Sequence, residues 1–236
     1  MVIENSMKIE NSKLKISGKM PTEYKRGYVN FLGCKIALRF RPMIPRKETA
    51  FWVKQAIKEI LKKGENFAFL DIFCGSGCIG LSVLKNCSKR AKIAIFSDID
   101  EGCVKQTKFN LKLNKIKPHK YRVLQSDIFQ NIKGAFDYIF ANPPYVGTQN
   151  KYLVQDSVLE WEPHLAIFGG RDGLLYIRKF LKEAKKFLKP KGKIYLEFDH
   201  LHKNKLEKIL PQFGYKHFHF HKDQFGRWRW VEICKN

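Results

Sequence analysis

Ala141–Asn142–Pro143–Pro144–Tyr145 follows directly on the apolar run Phe136–Phe140. Two successive prolines remove two backbone donors and fix φ at both positions. Pro143 also pushes Asn142 toward an extended conformation. The pattern predicts a buried strand that stops at a rigid, open turn. Such a turn presents an amide side chain, free carbonyls and an aromatic ring. Asn142 and the Pro143 carbonyl can each accept a hydrogen bond from a flat NH2 group, and Tyr145 can lie against the conjugated plane beside it. The plainer alternative is a Pro-Pro loop with a capping Asn, since a short motif is a hypothesis until its surroundings agree.

A second constellation, Asp71–Ile72–Phe73–Cys74–Gly75–Ser76–Gly77–Cys78–Ile79–Gly80, joins an apolar run to a helical pattern. Glycines there allow a tight turn and close backbone approach, and the N–H groups of the helix start face a ligand. The string satisfies the dinucleotide fingerprint GxGxxG, with Asp98 at a suitable distance downstream for a ribose hydroxyl. Two cofactors therefore compete, a nicotinamide dinucleotide and S-adenosylmethionine. Asp71, four residues before the first glycine, suits a cationic amino-acid end better than a pyrophosphate. Asp98 serves either reading. Asp127 could accept from an adenine amine while Ile128 packs on the ring.

Positioning these groups requires strands that all end on one side. Strands are expected at Phe67–Phe73, Lys92–Ser97, Tyr121–Gln125, Phe136–Ala141 and Lys193–Phe198. Helices are expected near Cys78–Cys87, Glu101–Leu113, Gly173–Leu188 (ended by Pro190) and Leu201–Leu210. Repeated strand–helix units imply an α/β fold with a mostly parallel sheet and helices on both faces. Tyr215–Lys222 and Trp228–Cys234 read as a closing antiparallel pair. Upstream, Tyr24–Phe40 alternates as a β-hairpin turning at Leu32–Gly33, and a helix runs from Arg46 to Gly64. Residues 1–20 alternate weakly (Met7, Ile9, Leu14, Ile16), as a short strand or a tail. The stretch from Asn142 to Arg171 is too long for an ordinary connection and carries Trp161, Leu165, Ile167 and Phe168, which argues for a functional loop. In open α/β sheets ligands bind beyond the carboxyl ends of the strands. Asp71–Gly77, Asp98, Asp127 and Asn142 all fall there, on four successive strands.

A chain of 236 residues with 44% hydrophobic content can bury a core and is most simply one domain. No apolar run is long enough to span a bilayer and no signal-peptide core is present, so the expected location is the cytoplasm. The six cysteines form no metal-ligand spacing and read as free thiols. His217, His219 and His221 alternate with Phe218 and Phe220, a pattern explained by one polar and one apolar strand face, so no metal is expected. The net charge of +23 suits a polyanionic neighbour such as RNA or the ribosome. Lysines spread along the whole chain of a Lys-rich proteome explain it equally well.

Taken together, these stretches resemble the Rossmann-like class I methyltransferases, and the NPPY resembles that of enzymes methylating conjugated NH2 groups. The chain is most similar to the HemK/PrmC family, the protein-(glutamine-N5) methyltransferases that modify the GGQ glutamine of peptide-chain release factors. Met43–Thr49 resembles the family's LIPRPET segment. Trp161–Ala166 with Gly169–Leu174 resembles its EPxxAL…GGxDGL stretch, and Lys222–Arg227 with Arg229 its closing KDxxGxxR. The resemblance implies a seven-stranded sheet preceded by a hairpin and helix. It implies S-adenosylmethionine as cofactor, with S-adenosylhomocysteine as product, held by Asp71, Phe73, Cys74, Gly75, Ser76, Gly77, Asp98, Asp127, Ile128 and Asn142. Asn142, Pro143, Pro144 and Tyr145 would hold the substrate glutamine, and a release factor would be the partner. Family members usually begin with a helical recognition domain; here residues 1–20 are expected as a short N-terminal segment and residues 21–236 as the methyltransferase domain, with its hairpin at 24–40. The rival reading is methylation of an adenine amine in RNA or DNA, which the basic, aromatic Arg227–Trp230 arm favours.

Overall fold

The computed structural model describes residues 19–235. The alternation read over residues 1–20 therefore lies, but for its last two positions, outside the described residues.

The expected hairpin forms over a shorter span. A single helical turn, α1 (Thr22–Arg26), replaces its first residues and ends on Gly27 in the left-handed conformation, φ 80°. Strands β1 (Tyr28–Phe31) and β2 (Cys34–Ala37) then pair antiparallel. Leu32 and Gly33 both have positive φ, 45° and 82°, as a two-residue hairpin turn twisted with its strands requires. Helix α2 (Lys47–Lys63) buries Trp52, Val53, Ala56, Ile57 and Ile60 and stops at left-handed Gly64.

The main sheet contains β3 (Phe67–Ile72), β4 (Ala91–Asp98), β5 (Tyr121–Gln125), β6 (Phe136–Ala141), β7 (Leu188–Glu197), β8 (His217–Lys222) and β9 (Trp228–Cys234). Their order is β5-β4-β3-β6-β7-β9-β8, with β9 antiparallel to both neighbours and the other pairings parallel. Period-two alternation splits the core in two. Phe69, Phe96, Phe140 and Tyr195 face the side covered by α2, α3 (Cys78–Asn86), α4 (Glu101–Leu113) and the hairpin. Leu70, Ile72, Ile139 and Leu196 face α6 (Leu175–Ala184) and α7 (Lys203–Gln212). A short helix, α5 (Asp156–Trp161), lies within the long connection after β6.

A second boundary departs from expectation. Helix α6 ends at Ala184, followed by a 3-10 turn over Lys185–Phe187, and Pro190 belongs to β7. Leu188 already pairs with Phe136, whereas Tyr138 pairs with Lys193, so the residues between form a bulge. Proline is tolerated at such a bulge because no ladder donor is required of it. His221 stacks on Trp230 with centroids 3.7 Å apart, while His217 and His219 lie exposed on the same strand face. No group among the described residues is arranged to hold a metal ion. All six cysteines are free thiols.

Candidate active site

The glycine turn leaves β3 through three residues of positive φ, Phe73 (60°), Gly75 (54°) and Gly77 (74°). The end of β4 fixes its backbone. Gly75 N–H donates to Asp98 Oδ2 at 2.8 Å, and Cys74 N–H to the Ser97 carbonyl at 3.0 Å. Helix α4 closes the turn from the other side. Asn110 Nδ2 donates to the Ser76 carbonyl at 2.9 Å, and Thr107 Oγ1 to the Gly75 carbonyl at 3.1 Å. A Cβ on Gly77 would meet Thr107 Cγ2 at 2.8 Å, so packing as well as φ demands glycine.

Asp71 lies behind this turn, outside the cavity lining. It is fully buried, and its Oδ2 accepts from Gly80 N at 2.7 Å. Its Oδ1 finds no partner among the described residues. Burial, reinforced by the charge of Asp98, holds its carboxyl well above the usual range. Gly80 allows this approach, since a Cβ there would stand 2.4 Å from the Phe96 ring.

In front of the turn opens a cavity of about 970 Å³, its mouth included. Phe73, Cys74, Gly75, Ser76, Asp98, Asp127, Ile128, Asn142 and Pro144 all line it, joined by Met43–Arg46 and by Pro163, Leu165 and Ala166 of the long connection. The carboxyl ends of β3, β4, β5 and β6 thus converge on one space. Asp98 is held there by Gly75 N–H on one oxygen and by Asp100 N–H, 3.0 Å, on the other. Burial raises its pKa while the backbone donors oppose the rise. Asp127 is exposed at the rim and Ile128 is buried with φ 47°. Gly77, Pro143 and Tyr145 are not among the lining residues. The Phe73 ring points toward Tyr176 and Phe180 of α6.

Side chains assemble the other wall. Glu162 is buried, with Oε2 accepting from Ile44 N at 3.0 Å and Oε1 from Arg46 Nη2 at 2.5 Å. The long connection is thereby tied to the segment before α2. The connection also closes on itself, because Val146 and Phe168 form a parallel bridge. Val146 N–H donates to the Ile167 carbonyl and Gly169 N–H to the Val146 carbonyl. Here the glycines have a steric cause: a Cβ on Gly169 would lie 2.4 Å from the Pro144 carbonyl oxygen, and one on Gly173 2.2 Å from that of Tyr145. Asp172, bidentate with Arg178, is pulled down to about 2.

The sequence reading did not single out Glu197, at the end of β7. It is buried and accepts from Tyr145 Oη at 3.0 Å, Thr49 Oγ1 at 2.8 Å and Trp52 Nε1 at 2.6 Å. The available signal was an acid closing an apolar strand, the same signal that marks Asp71 and Asp98. Asn110 and Thr107 were also passed over, since polar residues in an amphipathic helix read as solvent-facing until the hairpin and the glycine turn cover them.

A protein-family model, the methyltransferase small domain, matches residues 54–170. A release factor glutamine methyltransferase of Flavobacterium psychrophilum is 30% identical, the match covering 99% of this chain and 85% of that protein. One of Streptococcus pneumoniae is 32% identical, covering 98% of this chain and 80% of that protein. Among solved structures, the hMettl16 catalytic domain in complex with MAT2A 3′UTR hairpin 6 superposes with a TM-score of 0.68 at 15% identity, covering 86% of this chain and 76% of that one. That likeness bears on the fold alone.

Proposed function

The chain belongs to the family of release factor glutamine methyltransferases, and from that premise we propose that it methylates the side-chain amide nitrogen of a glutamine, the GGQ glutamine of a peptide-chain release factor, using S-adenosylmethionine. The observation that carries this reading is one cavity lined both by the glycine turn with Asp98 and by Asn142 with Pro144. The residues fit the cofactor. A backbone cradle at Phe73–Gly77 suits its amino-acid part, the Asp98 carboxylate suits the ribose hydroxyls, and Asp127 with Ile128 suits the adenine edge and face. When bound, the cofactor supplies an electrophilic methyl group on a sulfonium. Asp71 acts indirectly in this scheme, by securing the first turn of α3.

An amide nitrogen is a weak nucleophile because its lone pair is shared with the carbonyl. The contribution of the chain is therefore placement and electrostatics. Asn142 and the Pro143 carbonyl accept the two N–H bonds of the substrate amide, orient its plane and stabilise positive charge growing on nitrogen. Tyr145 completes the turn, its hydroxyl bonded to Glu197. Placement of this kind contributes about 7–11 kcal/mol in favourable cases. We take residues 21–236 as the catalytic domain, working in the cytoplasm, with the +23 charge favouring surroundings rich in RNA. Family membership favours this reading over adenine methylation.

The test is to incubate the purified protein with methyl-labelled S-adenosylmethionine, a release factor and ribosomal RNA, and to map the product by peptide mass spectrometry. One methyl on the glutamine of the release factor is expected. Label entering only the RNA would overturn the assignment.

A further inference from the structure

The Asn142–Tyr145 turn has an unusual difficulty of support. Pro143 and Pro144 supply no N–H, so only Asn142 and Tyr145 can offer the turn a backbone donor. Behind it the ladder ends at Ala141, paired with Leu196. Ahead of it the next bridge is Val146 to Phe168. Between these points Tyr145 supplies a hydrogen bond from its hydroxyl to Glu197. Because Ala141 stands opposite Leu196, Glu197 is level with Asn142 on the adjoining strand.

We propose that Glu197 is the positioning residue of the Asn-Pro-Pro-Tyr turn, holding Asn142 in register through Tyr145 while it is itself fixed by Thr49 and Trp52 of α2. This rests on the functional reading above and extends it to a residue outside the motif. A carboxylate meets the requirement because it accepts on both oxygens. Oε1 serves the Tyr145 hydroxyl, and Oε2 serves both the Thr49 hydroxyl and the Trp52 indole, which can only donate. Glutamine has a single acceptor oxygen, so its NH2 would face either Trp52 or Tyr145. Burial raises the Glu197 pKa, and the hydrogen bonds from Trp52 and Thr49 with the charge of Arg229, itself held by Asp223 at 3.2 Å, oppose the rise. Burial of a charge without such partners is strongly unfavourable. The arrangement gives the PRKET-like segment a role of its own, since Thr49 belongs to it and anchors the far side of the same carboxylate.

The experiment compares wild type with Tyr145→Phe, Glu197→Gln and the double variant, by kcat and KM toward a release factor and by amide hydrogen exchange of the peptide over residues 142–149. Tyr145→Phe removes one hydroxyl and retains the ring, so it preserves packing even where Glu197→Gln loosens α2. Each single variant is expected to lose about a hundredfold in kcat, as a displaced reactive group does, with less change in KM. The double variant should be no worse than the more damaged single, because both act through one bond. Exchange at Val146 should rise in all three, while exchange over β3 stays as in wild type. Unchanged exchange at Val146 in Tyr145→Phe, or losses that multiply in the double variant, would overturn the proposal. If wild type fails to methylate any release factor while Val146 still loosens in Tyr145→Phe, the substrate assignment falls and the positioning role stands.

Discussion

On the β3–β4–β5 side of the cavity, backbone groups do most of the holding, and their partners are close in sequence. Gly80 N–H meets Asp71 across nine positions and Gly75 N–H meets Asp98 across 23. On the β6–β7 side, side chains do the holding, across 118 positions from Ile44 to Glu162, 145 from Trp52 to Glu197 and 148 from Thr49 to Glu197. On the proposed reading the first wall faces a cofactor of fixed shape, for which amides at a helix start suffice. The second must place a protein side chain, and its geometry is set by residues brought together only when α2 and the long connection dock. Substitution should accordingly affect binding on the first wall, and turnover or packing on the second.

Asn142→Ala gives the largest expected effect and breaks the comparison most directly if it fails. Turnover should fall by about 10²–10³-fold, the usual cost of removing one positioned hydrogen-bonding group, while S-adenosylhomocysteine binding persists in calorimetry. Near-normal methylation would remove the second wall from the chemistry. Asp98→Ala should weaken S-adenosylhomocysteine by about 1.5–3 kcal/mol, the scale of hydrogen bonds to a charged group. A variant that binds normally yet turns over slowly would move Asp98 from the first wall to the second. Glu162→Gln leaves the Ile44 N–H or the Arg46 guanidinium poorly matched. Urea unfolding should register a loss of about 1–3 kcal/mol, and no loss would mean that the long connection stays docked without that pair.

The smallest effect concerns pH. Burial, aided by His219 and Lys193 and opposed by Glu59, lowers the His221 pKa from 6.5 to about 4. The unfolded chain therefore takes up this proton first as pH falls. Stability contributed by neutral His221 is complete above 6.5, declines between 6.5 and 4, and levels off below. His221 stacks on Trp230, which lies 6.2 Å from Trp52, so the effect belongs to the second wall. His221→Phe keeps the stack and should flatten the fall in Tm over that interval. An equal fall in both proteins would assign it to other groups.

How much of this was legible in sequence follows the same division. Asp98, Asp127, the glycines and Asn142 each close an apolar run, so their shared edge could be inferred from strand order alone. The start of the hairpin was misplaced because Tyr24 fits the alternation, although left-handed Gly27 ends a helical turn there. The end of α6 was misplaced because Lys185 and Lys186 continue the helical pattern, whereas pairing of Leu188 with Phe136 settles the matter. Glu197 and Asn110 escaped notice because their partners lie on elements far away in the chain. No local pattern announces which buried carboxylate three distant donors will share.

The stitch between Val146 and Phe168 has a practical consequence. The excursion between them departs from and returns to a single spot, and Glu162 ties its later part to the segment before α2. Exposed Tyr152 and Leu153 sit well inside that span. The part around Tyr152 and Leu153, ahead of that tie, is therefore where length can change while the Asn-Pro-Pro-Tyr turn stays in place.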